Sequence, residues 1–84
     1  MRINLKKLLR LPVCTESGTK LGHIYDLEID AGNHTVRQYS VRSSVFGGKV
    51  FLVASSQIKD ITEDKVVVYD NIIKTSNANG DGIQ

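Results

Sequence analysis

Three acids at alternating positions, Asp26, Glu28 and Asp30, stand where a calcium loop would need its first three oxygen ligands. Such a loop also requires glycine at its sixth position and a bidentate glutamate at its twelfth. Here those positions hold Ala31 and Arg37, so the turn cannot tighten and a cation replaces the last ligand. The stripe therefore reads as a solvated strand face. Asp26 has a second, structural reading, as an acceptor of backbone N–H groups at a bulge beside Gly22. His23, His34 and Cys14 lack the C-x-x-C and H-x-x-x-H spacings of a zinc site. His23 reads as a half-buried packing residue in a strand, and Cys14 as a small apolar residue beside Val13 with no base to activate it. Gly47-Gly48 opens neither a P-loop nor a dinucleotide fold and is explained by a turn with positive φ. No catalytic set, no metal site and no cofactor site follows from these residues, and no small-molecule substrate is implied.

Two features suit binding better than catalysis. Phe46, beside the two glycines, either anchors a partner from an exposed tip or folds back as a plug over the core. Arg2, Lys6, Lys7 and Arg10 lie in the first ten residues with no acid among them. The other seven Lys or Arg face nine Asp or Glu, so a basic N-terminal edge sits on a mildly acidic body. Those cations could meet phosphates of RNA or an anionic membrane, or form the ordinary wet face of a short docked helix. Arg37 and Arg42 differ in parity, so at most one of them joins that face.

Few elements are available to position these groups. The chain has 84 residues, enough for one small domain. Such a domain buries roughly 60% of its unfolded surface, so most apolar residues must share one core. No apolar run approaches the ~20 residues of a membrane helix, and the N-terminus lacks the pattern of a signal peptide. The single cysteine predicts no internal disulfide and suits a reducing cytoplasm. Asn4 caps a short helix that sets Leu5, Leu8 and Leu9 on one face and Arg2, Lys6 and Arg10 on the other. Pro12 stops it.

Beyond Pro12 the signals are β. Leu11, Val13 and Thr15 alternate into a first strand, which Pro12 places at a sheet edge or at its own start. A turn at Gly18 leads to a long strand, Leu21 to Asp30, with Leu27 and Ile29 on its dry side. Ile24 has the opposite parity to Leu27, so burying both requires a bulge between them. Val36 to Ser43 follows, with Tyr39 and Val41 on one face. The apolar run Val50 to Ala54 reads as a strand buried on both faces. Ser55-Ser56-Gln57 is a kink or single helical turn, and Ile58–Thr62 and Lys65–Asp70 flank a hairpin at Glu63-Asp64. The folded domain spans 1–74, and residues 75–84, rich in turn formers, read as a disordered tail. About six strands with one short helix predict an all-β fold that closes on itself as a small barrel.

The order of these motifs resembles the PRC-barrel domain. The resemblance runs from Leu8-Leu9-Arg10-Leu11-Pro12-Val13 through Gly18 to the run Gly22, Ile24, Asp26, Ile29 and Asp30. It continues in Phe51 to Ile58 and in Ile61, Asp64 and Val66-Val67-Val68. Arg10 stands where that family often has glycine, and Ala54 where many members have proline. The resemblance implies a closed β-barrel of the kind found in the cytoplasmic part of the photosynthetic reaction centre. It is also similar to the C-terminal half of a bacterial ribosome maturation factor. It further implies a binding or scaffolding module without shared catalytic residues. The expected function is therefore non-enzymatic contact with another protein or with a second copy, through strand-edge pairing or a patch around Phe46, Gly47 and Gly48. The alternative is an RNA- or ribosome-associated factor working through Arg2, Lys6, Lys7 and Arg10.

Overall fold

The computed structural model describes residues 1–43 and 47–71. Phe46 and the segment 75–84 lie outside the described residues. The chain begins with a one-turn helix, α1 (Leu5–Leu8). Asn4 caps it, its side-chain oxygen accepting the Lys7 N–H at 2.8 Å. Replacing Asn4 with alanine orphans that donor and should cost about 1 kcal/mol in urea unfolding. Leu8 is buried and Leu9 packs against the core, but Leu5 is exposed. A single turn can dock only one narrow stripe, and Leu8, Leu9 and Leu11 use it.

Six strands follow: β1 (Pro12–Thr15), β2 (Lys20–Asp30), β3 (Thr35–Ser43), β4 (Lys49–Ala54), β5 (Ile58–Ile61) and β6 (Val66–Val68). They form one sheet in the order β4-β3-β2-β1-β6-β5. All neighbours are antiparallel except β1 and β6, which run parallel with Val13 opposite Val66. Strand β1 is therefore interior. Pro12 stands at its first residue, where a missing N–H costs the ladder least, and neither Pro12 nor Cys14 marks a sheet edge.

Among the described residues the sheet is not closed, so the expected all-β fold is present but its closure into a barrel is not seen. Among the described residues no ladder joins β4 to β5, although only a 3₁₀ turn, Ser55–Gln57, separates them. That turn spends its polar groups on its neighbours. Ser55 Oγ donates to the Val36 carbonyl, Gln57 Oε1 accepts the Ala54 N–H, and the Gln57 carbonyl accepts the Tyr69 N–H. The chain thus passes from the β3 side to the β6 side around a hydrogen-bonded corner. Register shifts at Val13/Cys14, Ile24/Asp26, Glu28/Ile29 and Ile58/Asp60 supply the bending.

The concave side holds the core, with Val13, Leu21, Ile24, Val41, Phe51, Val53, Val66 and Val68 buried together. Strand β4 is terminal in the sheet and alternates, Phe51 and Val53 inward and Val50 and Leu52 outward. It is not buried on both faces, because no layer of described residues covers its convex side. Ile29, expected on the dry side, is also exposed, since β2 runs past the core before it ends. His23 is exposed rather than half-buried.

Candidate functional site

The site begins at the bulge in β2. Ile24 pairs with Val41 and Asp26 with Ser40, leaving Tyr25 as the extra residue. A bulge lets two successive side chains leave on one side. Ile24 stays buried, Tyr25 and Asp26 go out, and Leu27 returns to the core. The Tyr25 ring reaches the convex face, where Arg42 of β3 lies over it with Cζ 4.4 Å from the ring centroid. This is a cation–π contact, and it holds the guanidinium at a fixed height above the sheet.

Neighbouring strands set what surrounds Arg42. Its register partners are His23 on β2 and Val50 on β4. Gly22 makes the close approach of β2 and β3 possible, because a Cβ there would lie 2.0 Å from the Arg42 carbonyl oxygen. Gly47 and Gly48 both have positive φ, 67° and 80°, and form the end of the turn before β4. Gly22, His23, Tyr25, Arg42, Gly47 and Gly48 together line an open hollow of about 620 Å³. Beside it, Val50 and Leu52 are 41% and 59% exposed, and Tyr25 is 44% exposed.

Electrostatics mark the same region. Among the described residues the one ion pair is Glu16 with Lys59, at 3.1 Å, so Arg42 has no carboxylate partner there. Strands β3 and β4 contain no acid. Of their cations Arg42 faces outward here, Lys49 lies over the Phe51 ring with Nζ 5.7 Å from its centroid, and Arg37 lines another hollow with Glu28 and Asp30. No group of three His, Cys, Asp or Glu side chains among the described residues could hold a metal ion. No described helix is long and apolar enough to cross a membrane.

The residues singled out in the sequence fall in several places. Gly47 and Gly48 line the hollow just described. Lys6, Lys7 and Arg10 surround a separate hollow of about 260 Å³ with Asn4. Arg2 lies with Lys7 and Glu63 around another. Gly18 makes the β1–β2 turn with φ 101° and open space around it. Asp26 Oδ1 accepts its neighbour's N–H, from Leu27 at the bulge, at 2.9 Å. Asp30 is committed to the β2–β3 turn, its carboxylate accepting the Gly32 and Asn33 N–H groups and the Asn33 side chain.

Sequence reasoning missed Tyr25, Val50 and Leu52, and weighed Arg42 only as an addition to the N-terminal cations. Two signals could have found them. The parity break between Ile24 and Leu27 forces Tyr25 outward with Asp26. Residues 31–57 also carry no Asp or Glu, an acid-free stretch in a chain with nine of them.

No curated protein matches the chain. The family model of the PRC-barrel domain matches residues 1–71, which take in the helix and all six strands. That span covers most of the 84 residues, and the chain belongs to the PRC-barrel domain family.

Proposed function

We propose that this chain is a non-enzymatic binding module that works as an adaptor by contacting another protein. The observation that carries the reading is the convex face of β2, β3 and β4. There a stacked Tyr25–Arg42 pair stands next to the exposed apolar side chains of Val50 and Leu52. Tyrosine and arginine are over-represented among the residues that dominate protein interfaces, and apolar neighbours exclude water around them. A cytoplasmic setting accords with the lone Cys14, which is free. Affinity co-purification from the native host, at low and high salt and with and without nuclease, tests the proposal. A protein partner retained in high salt and after nuclease is the expected result. Recovery of no partner beyond the chain itself would overturn the adaptor reading and leave self-association.

Lys6, Lys7 and Arg10 around one hollow favour a second reading, an RNA- or ribosome-associated factor. In that case RNA affinity would fall on the order of tenfold between low and physiological salt. Replacing Lys6 and Lys7 with glutamate would remove it, and unchanged RNA affinity in that variant would rule this reading out.

A further inference from the structure

We infer that the convex face of β3 and β4 docks an acidic, apolar-rich segment of a partner protein, with Arg42 as its anchor. The inference rests on the binding-module reading above and adds the site and the chemistry of the ligand. Arg42 presents a planar fork of donors suited to a carboxylate. Tyr25 beneath it fixes its height, and no acid among the described residues occupies it. In the direction of β4 its row continues to Val50, and Leu52 lies on the same face in the next outward position. A partner segment running along β4 can therefore set apolar side chains on Val50 and Leu52 while a carboxylate meets Arg42 near the Gly47–Gly48 turn.

Charge decides the occupant. On the outward side of β3 and β4 Arg42 stands with Val50 and Leu52 and no acid, so the same strip of a second copy would bring another Arg42 and no carboxylate to meet it. Lys49 has the inward parity of Phe51, its Nζ 5.7 Å from that ring's centroid, and Arg37 lies beside Glu28 and Asp30. The nearest acids on the face, Asp26 and Glu28, lie on β2, two strands from β4. Their place confines an acidic ligand to the β4 side and favours one that carries its acid at one end. Nucleic acid would satisfy Arg42 but leave Val50 and Leu52 without apolar contact.

The test uses the full chain against a displayed library of random dodecapeptides, followed by backbone NMR of the ¹⁵N-labelled chain with the best peptide. Expected are peptides that combine acids with β-branched or aromatic residues and shift the amides of Arg42 and Val50 to Ala54. Arg42→Glu should weaken them at least tenfold and Leu52→Ser severalfold, while Lys6→Glu leaves them unchanged. Arg42→Gln, which keeps the side chain's length without its charge, serves as a second variant, and thermal midpoints check that each is folded. Peptides without acids, binding indifferent to both Arg42 variants, shifts centred on α1, or no binders at all would each overturn the inference. So would concentration-dependent self-association abolished by Leu52→Ser, which would assign the face to a second copy. Peptides that bind elsewhere would sink this inference alone, whereas failure of the co-purification would sink the adaptor reading itself.

Discussion

Gly22→Ala is expected to lower the thermal midpoint by roughly 15 °C or more, or to leave the chain unfolded at room temperature. The cause is a backbone collision. A Cβ at residue 22 would lie 2.0 Å from the Arg42 carbonyl oxygen, 2.7 Å from its carbon and 2.8 Å from the Ser43 Cα. None of these atoms belongs to a side chain that could swing away, so β2 and β3 must separate. The φ of 133° adds strain of its own for a residue with a Cβ. Overpacking of this kind costs about 1–3 kcal/mol and a forced backbone conformation a similar amount. An 84-residue domain has a total stability of only about 4–13 kcal/mol. Each kcal/mol lost moves the midpoint of so small a domain by about 4–8 °C. Gly18→Ala is the control. Its φ is also positive, at 101°, but nothing lies within 4 Å of its missing Cβ. It should cost about 1 kcal/mol. Circular dichroism melts of the two variants check this, and equal midpoints would mean that β2 and β3 do not approach as described. The same substitution would displace the Arg42 backbone, so stability and the candidate site meet at this glycine.

That glycine shows how far the sequence could be read. The motif around Gly22 and the parity break between Ile24 and Leu27 are local patterns, and local patterns predicted the bulge. The Asn4 cap and the glycine turns were legible for the same reason: a cap or a turn depends on residues within four of it. Strand order is different. Nothing within Val50 to Ala54 tells whether its second apolar face meets a layer or solvent, because a run of apolar residues has no period to read. Only the topology, with β4 terminal, shows that Val50 and Leu52 face outward. Closure is a nonlocal matter of the same kind. Six strands are enough for a barrel, but whether the terminal two pair is set by the path of the whole sheet and not by any short run of residues. The Tyr25–Arg42 stack is nonlocal too, since it needs the β2–β3 register and the bulge together.

Leu21→Ala and Leu52→Ala make the same chemical change, yet their expected costs differ severalfold. Leu21 is fully buried. It is the residue that β2 inserts where its register with β1 shifts between Val13 and Cys14. Its removal leaves a cavity in a core that has few other large side chains, at a cost of about 2–5 kcal/mol. Leu52 is 59% exposed and projects from β4 on the opposite face. Its truncation should change stability by no more than about 0.5 kcal/mol. Urea unfolding of both variants with a common m-value measures the difference directly. A large loss for Leu52→Ala would mean that the chain covers this face itself, and a docking surface there would be untenable. A small loss separates the two leucines by purpose. Folding uses Leu21, whereas the apolar surface of Leu52 contributes little to the isolated fold and is left for a partner to bury.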